Sequence, residues 1–292
     1  MSSSGQPAFN RLEVAINNKF AMIPDDLVSA LKRRRVILFV GAGVSMNLGI
    51  PSSQQILSHI GEDLGLLRGS LQNLGDYQTL AEYYELRKGG LQDLRSWLDT
   101  ACHPESIDVS ASPIHGSIVD LDFPIIYTTN YDRWIEEAHK AKGKAFARIA
   151  SVGDLAKSHF GETEIVKFHG DFSDEDSLVL TESNYFDRMS FETPLDIKLR
   201  SDSLARPLLF IGYSLSDLNM RYLLFRLQRL WDGSPHKNDR PKSYILLSSP
   251  NVVQEKVLEA RGVIPIIWKN DDPGKALTEF LAHLVMATRA SI

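Results

Sequence analysis

At 292 residues with 43% hydrophobic side chains, the chain is long enough for one substantial core and gives no sign of a second catalytic domain. Its formal net charge of −5, with acidic and basic residues interspersed, excludes the broad electropositive footprint that direct nucleic-acid binding requires. The lone cysteine, Cys102, excludes a disulfide framework and fits a cytoplasmic, reducing compartment, and the apolar runs are too short for a membrane span or a signal peptide.

Met1 to about Asn10 is rich in Ser and Gly and reads as disordered, and Arg11 to Arg34 reads as one or two short helices with Pro24 between them. Residues 1–35 are therefore expected to precede a core domain spanning 36–292. The cluster Lys32-Arg33-Arg34-Arg35 reads as a solvated helix end. Val36-Ile37-Leu38-Phe39-Val40 is then a buried strand that runs straight into Gly41-Ala42-Gly43-Val44-Ser45. Glycine lets the backbone approach a ligand closely and the free N–H groups of a helix start favour an anion, the arrangement that holds a dinucleotide pyrophosphate. Met46 stands where the third glycine of the dinucleotide fingerprint would be.

From about 52 to 119 apolar residues recur at spacings of three and four, as in Ile56, Ile60 and Leu64, which reads as an inserted helical subdomain covering the crevice. Strands at about 124–129, 165–168, 207–211, 243–248 and 263–268 complete the sheet, a second insertion occupies about 172–206, and a final helix runs from about Gly274 to Arg289. The expected fold is α/β: a Rossmann-like, doubly wound parallel sheet with an inserted helical subdomain and no zinc ribbon.

Three later apolar runs stop abruptly at residues able to hydrogen-bond: Pro124 to Thr128 at Thr129-Asn130-Tyr131-Asp132, Ile165 to Phe168 at His169-Gly170-Asp171, and Leu208 to Ile211 at Gly212-Tyr213-Ser214. An open parallel sheet delivers side chains to a crevice at its carboxyl edge in this way. Asn130 and Asp132 form a polar pair there, although Asn130 is also placed to cap a following helix. Of the eight histidines, His169 ends an apolar strand and is followed by glycine, so it is both near the crevice and approachable; among the others, His115 begins a helix leading towards the Asn130 strand. Asp217 either touches ribose or caps the next helix. No acidic residue stands about 20 positions after the Gly-x-Gly turn in the right context, which disfavours hydride transfer.

The order Gly41-Ala42-Gly43-Val44-Ser45, Gly49-Ile50-Pro51, Asn130-x-Asp132, Phe168-His169-Gly170 and Gly212-Tyr213-Ser214 resembles the motifs of the sirtuin superfamily, over about Val36 to Trp268. More narrowly, Thr128 to Asp132 and Leu209 to Asp217 resemble the bacterial branch whose members serve as antiphage-defence NAD hydrolases. Deacylase sirtuins hold a structural zinc with four cysteines, which one cysteine cannot supply, so no metal is expected. The deacylase arginine after Gly-Ile-Pro is absent, and Thr129 replaces the glutamine before the catalytic asparagine.

The resemblance implies an NAD+ glycohydrolase in which Asn130 places water or ribose hydroxyls and His169 accepts a proton. It further implies that Asp132 holds the nicotinamide carboxamide, and that Gly41, Ala42, Gly43, Ser45, Pro51, Gly212, Tyr213, Ser214 and Asp217 line the cofactor site. Alternatives are a protein deacylase or ADP-ribosyltransferase, or a non-catalytic NAD or ADP-ribose sensor. Relatives of this branch carry sensor domains or act beside a HerA-type ATPase or, less often, an Argonaute-like protein. A homo-oligomer with such a partner is accordingly expected.

Overall fold

The computed structural model describes residues 23–66, 71, 73–157, 161–174, 177–190, 192–213 and 218–290. Seven strands form one sheet: β1 (Ile37–Val40), β2 (Ile125–Thr128), β3 (Phe146–Ile149), β4 (Thr163–Lys167), β5 (Leu208–Ile211), β6 (Ser243–Leu247) and β7 (Val263–Ile267). Every pairing is parallel, and the order is β3-β4-β2-β1-β5-β6-β7. The chain thus winds outward from β1 in one direction through β2 and in the other through β5. The carboxyl ends of β1 and β5 form the switch point, where a doubly wound sheet opens a crevice.

Burial on both faces explains why the inner strands β1, β2 and β5 read as unbroken apolar runs. Leu38 and Val40 point to a core with Ile126, Ile165, Leu209 and Ile211. That core is closed by helices α1 (Asp25–Lys32), α6 (Pro113–Asp120) and α13 (Pro273–Arg289). Ile37 and Phe39 point the other way, into a core with Tyr127, Val166 and Phe210. Helices α10 (Pro194–Ala205), α11 (Leu218–Asp232) and α12 (Val252–Ala260) cover it. Register puts Phe39 opposite both Tyr127 and Phe210, and their rings stack at 5.7 and 5.3 Å, locking the three central strands side by side.

Between β1 and β2 the short α2 (Ala42–Met46) is followed by α3 (Ser53–Asp63), α4 (Tyr77–Lys88) and α5 (Gln92–Cys102). These last three build their own core from Leu57, Ile60, Leu80, Tyr84, Leu94 and Leu98. That core also takes in Trp134, Phe172 and Leu180, which lie beyond the carboxyl ends of the strands. Helix α7 (Trp134–Ala141) follows β2, and α8 (Val152–Leu155) follows the edge strand β3. Helix α9 (Glu182–Met189), from the second insertion, meets α4 through Glu82, which accepts from the backbone N–H and hydroxyl of Ser183 at 2.9 Å each.

The basic cluster at the opposite edge is not merely solvated. Helix carbonyls gather where parallel strands begin, and cations satisfy them. Lys32 Nζ donates to Ala290 O at 2.8 Å, Arg35 to Ala205 O at 2.8 Å, and Arg34 to Asp122 O and Gly161 O at 3.2 Å each. Among the described residues no helix is long and apolar enough to cross a membrane.

Candidate active site

The two glycine turns at the switch point interlock. Gly41 N donates to Ile211 O and Gly43 N to Gly212 O, both at 2.9 Å. Gly212 has φ of 69°, and a Cβ there would lie 2.8 Å from Val44 N. A Cβ on Gly41 would lie 2.6 Å from Gly212 O, and one on Gly43 would lie 3.0 Å from Gly212 Cα. Glycine is required here because two backbones touch, besides any need for a ligand to approach. Tyr213 folds back over this junction: its hydroxyl donates to Val40 O at 3.0 Å and sits 3.0 Å from Thr129 Oγ1.

Asn130 and Asp132 close onto the first turn. Asn130 Nδ2 donates to Gly41 O at 3.1 Å and to Ser45 Oγ at 2.8 Å, and a carbonyl can only accept, which fixes the amide orientation. Ser45 Oγ donates in turn to Asp132 Oδ2 at 2.6 Å, while Asp132 Oδ1 accepts from Trp134 N at 3.2 Å. All three side chains are buried. Asp132 thus accepts from Ser45 and from the start of α7, and Ser45 donates inside the same network. Asn130 is not a helix cap; its Oδ1 is the end left without a hydrogen bond to a described residue.

Thr128 of β2 pairs with Lys167 of β4, so two residues further on Asn130 and His169 leave the sheet from neighbouring strands. His169 is buried, its ring 5.2 Å from Tyr185 in an edge-on contact. Burial, helped by the charge of Arg188, pushes its pKa down to about 3. The guanidinium of Arg188 stacks 4.2 Å over the Phe168 ring, donates to Thr193 Oγ1 at 2.6 Å and pairs with Asp196 at 3.1 Å. The Tyr185 hydroxyl is 2.6 Å from that of Tyr77, so both insertions meet beside His169.

The remaining expected residues fall as follows. Ala42, the first residue of α2, is exposed, and Pro51 is half-buried just ahead of the Ser52 cap of α3. Ser214 and Asp217 lie outside the described residues. Behind Asp132 stand groups that the motif reading passed over. His115 Nδ1 lies 2.8 Å from Ser112 Oγ while its Nε2 is buried without a partner, and burial pushes its pKa down to about 4 against the pull of Asp132. Lys167 is fully buried and pairs with buried Glu136 at 3.5 Å. Its signal was available, since a lysine inside Ile165-Val166-Lys167-Phe168 breaks an apolar run. Burial pushes the Cys102 thiol up to about 12, so it is an inert core group rather than a thiolate ligand, and among the described residues no group of three or more His, Cys, Asp or Glu is placed to hold a metal ion.

Residues 124–266 match the family model described as the SIR2-like domain. The chain is 26% identical over 262 residues to the NAD(+) hydrolase ThsA of Acinetobacter baumannii (strain 532279), covering 85% of this chain and 53% of that protein. It is 27% identical over 224 residues to NAD(+) hydrolase ThsA of Bacillus cereus (strain MSX-D12), covering 76% and 45%. It is 26% identical over 254 residues to Defense-associated sirtuin 2 of Bacillus subtilis, covering 82% and 24%. The chain thus spans about half the length of the ThsA relatives it matches and a quarter of the defence sirtuin. Among solved structures, a Sir2 homologue–NAD complex aligns with a TM-score of 0.51 at 13% identity, covering 92% of this chain and 96% of that one. A mutant Sir2 homologue–ADP ribose complex aligns with the same score at 12% identity, covering 92% and 100%. Those two likenesses establish the Sir2 fold.

Proposed function

With a SIR2-like domain as the premise, we propose that this chain is an NAD+ glycohydrolase that releases nicotinamide and ADP-ribose and serves as an NAD-depleting effector in antiphage defence. The observation that carries the reading is the closure of Asn130 onto Gly41 and Ser45 at the switch point, beside the strand that ends in His169, in a chain whose relatives are named NAD(+) hydrolase.

The chemistry asks little of the protein. Breaking the bond between ribose C1′ and the nicotinamide nitrogen returns the bonding pair to nicotinamide, which leaves as a neutral molecule, and positive charge builds on the ribose. Water then adds at C1′ and must lose a proton. Asn130 Oδ1 is the free acceptor of the network and is the group we assign to holding water or a ribose hydroxyl. His169 is neutral throughout the physiological range and so is available to take the proton, although a value near 3 makes it a weak base. A weak base suffices because the developing cation makes water attack favourable. The Gly41 and Gly43 N–H groups are taken by Ile211 O and Gly212 O, so we assign the pyrophosphate to the start of α2 at the exposed Ala42, beside the interlocked turns, with Tyr213 as a wall.

Such an enzyme must be held in check to spare its own cell. We assign that control to assembly: a cytoplasmic homo-oligomer built through the segment from Arg11 to Arg34 and the two insertions, engaged by a partner such as a HerA-type ATPase rather than an Argonaute-like protein. Coupling assembly to catalysis requires that the partner bind the active arrangement more tightly than the idle one. The test is incubation of the full chain with NAD, with and without an acylated peptide and with and without the candidate partner, following nicotinamide, ADP-ribose and acyl-transfer products. Equimolar nicotinamide and ADP-ribose without need of peptide supports the reading. Peptide-dependent acyl-ADP-ribose would replace it with a deacylase, and NAD binding without turnover in every arm would replace it with a sensor.

A further inference from the structure

Lys167 ends β4, the strand between edge strand β3 and β2, with its side chain fully buried. A buried ammonium is strongly disfavoured unless its protons are taken up by acceptors. Its Nζ donates to the main-chain carbonyl of Asp132 and lies 3.5 Å from Glu136 Oε1. Glu136 does not account for the lysine by itself, because neither of its carboxyl oxygens makes a hydrogen bond and burial raises its pKa. The Asp132 carbonyl is the acceptor that holds the lysine. That carbonyl belongs to the turn between β2 and α7, whose side chains are the Asn130 that reaches Gly41 and the Asp132 that receives Ser45. An apolar side chain would pack equally well at the end of a buried strand; what it could not do is grip this carbonyl from below.

We propose that Lys167 is a positioning residue: its ammonium holds the Asn130–Asp132 turn through the Asp132 carbonyl, so that the Asn130 amide stays closed on Gly41 and Ser45. The kinetic consequence rests on the NAD hydrolase reading; the geometric one does not. A misplacement of about 1 Å at a reacting group costs on the order of 10²-fold in rate.

Lys167→Met alone leaves Glu136 without its counter-charge and can compromise folding, so the decisive variant is Lys167→Met combined with Glu136→Gln, which removes both charges of the pair. Three readouts are taken on the full chain: kcat and KM for NAD, the urea midpoint, and the side-chain amide resonance of Asn130. The double variant is expected to fold, to lose about 10²-fold in kcat with KM little changed, and to show the Asn130 amide shifted and no longer protected from exchange. Glu136→Gln alone keeps the lysine's bond to Asp132 and is expected to keep its kcat and its Asn130 resonance. A folded double variant with parental kcat and an unchanged Asn130 resonance overturns the proposal. So does a loss in Glu136→Gln alone equal to that of the double variant, since the role would then belong to the ion pair. If the parent protein does not cleave NAD, the hydrolase reading fails, and the Asn130 resonance still decides the role of Lys167.

Discussion

Acidification should destabilise this fold before its lowered carboxylates titrate. His169 and His115 are buried as neutral rings, with pKa values pushed by burial to about 3 and about 4 from an ordinary 6.5. Between those values the unfolded chain binds a proton at each site that the folded chain refuses. Stability therefore rises with pH across this window and falls as pH drops through 6.5. A full bound-proton difference is worth about 1.4 kcal/mol per pH unit, and the unfolded histidine is half protonated at pH 6.5, so going from pH 6.5 to 5.0 costs about 1.6 kcal/mol per histidine and about 3 kcal/mol for the pair. Against a typical stability of about 5–15 kcal/mol that is a large loss.

Burial lowers His139 as well and adds to the trend, whereas Glu136, raised by burial, takes up its proton first in the folded state and offsets part of it. The lowered carboxylates, such as Asp171, enter only below the window. The assay is urea unfolding followed by circular dichroism at pH 8.0, 6.5 and 5.0, on the parent chain and on His115→Gln, which carries no titratable group at that site. The parent midpoint should drop steeply below pH 6.5, and His115→Gln should show roughly half the slope. A parent midpoint that stays level from pH 8.0 to 5.0, or a slope unchanged by His115→Gln, would refute the reasoning.

Asn130→Ala should lower kcat by about 10²–10³-fold, and should also cost about 1–3 kcal/mol in urea unfolding, because it strips the donor from the buried Gly41 carbonyl and Ser45 hydroxyl; a variant as active as the parent would remove Asn130 from the mechanism. Gly212→Ala should destabilise by more than the about 1–2 kcal/mol that a left-handed residue costs, since its Cβ would meet Val44 N at 2.8 Å, whereas Gly49→Ala, at φ of 82° with open space around it, should cost no more than that amount. Equal midpoints for the two would mean that the glycine turns do not interlock. Arg188→Met, made in an Asp196→Asn background so that no buried carboxylate is stranded, should raise the pKa of His169 as seen by histidine NMR, because the nearby cation is one of the two influences holding it down. No movement of the His169 titration would sever that link.

The runs Val36 to Val40, Ile125 to Thr128 and Leu208 to Ile211 were legible as central strands because burial on both faces demands unbroken apolar sequence, and their abrupt polar endings marked the crevice. Phe146 to Ile149 was not legible as a strand: it is a four-residue edge with Arg148 in its middle, so the continuous burial that exposes the others is missing, and only its pairing with β4 makes it a strand. Arg148 is there because it reaches Asp171 at 2.9 Å, a partner 23 residues away that no local pattern announces.

The same limit operated inside the site. Gly-x-Gly followed by serine predicted correctly that Gly41, Gly43 and Ser45 sit at the mouth of β1, but residue type alone does not say which way a polar group is spent. Ser45 donates to Asp132, 87 residues on, because the turn after β2 lies beside α2 once β1 and β2 are paired. The glycines carry the reverse lesson. A glycine pair beside a crevice suggests room for a ligand, and here the same pair is also demanded by Gly212, so a substitution at Gly43 would push on the Gly212 backbone as well as on the proposed pyrophosphate position. Loss of NAD binding in a Gly43 variant would not by itself locate the cofactor. Asn130 also holds the Gly41 carbonyl, so a loss of kcat in Asn130→Ala is read beside its urea midpoint, and only a loss larger than the destabilisation explains belongs to its Oδ1.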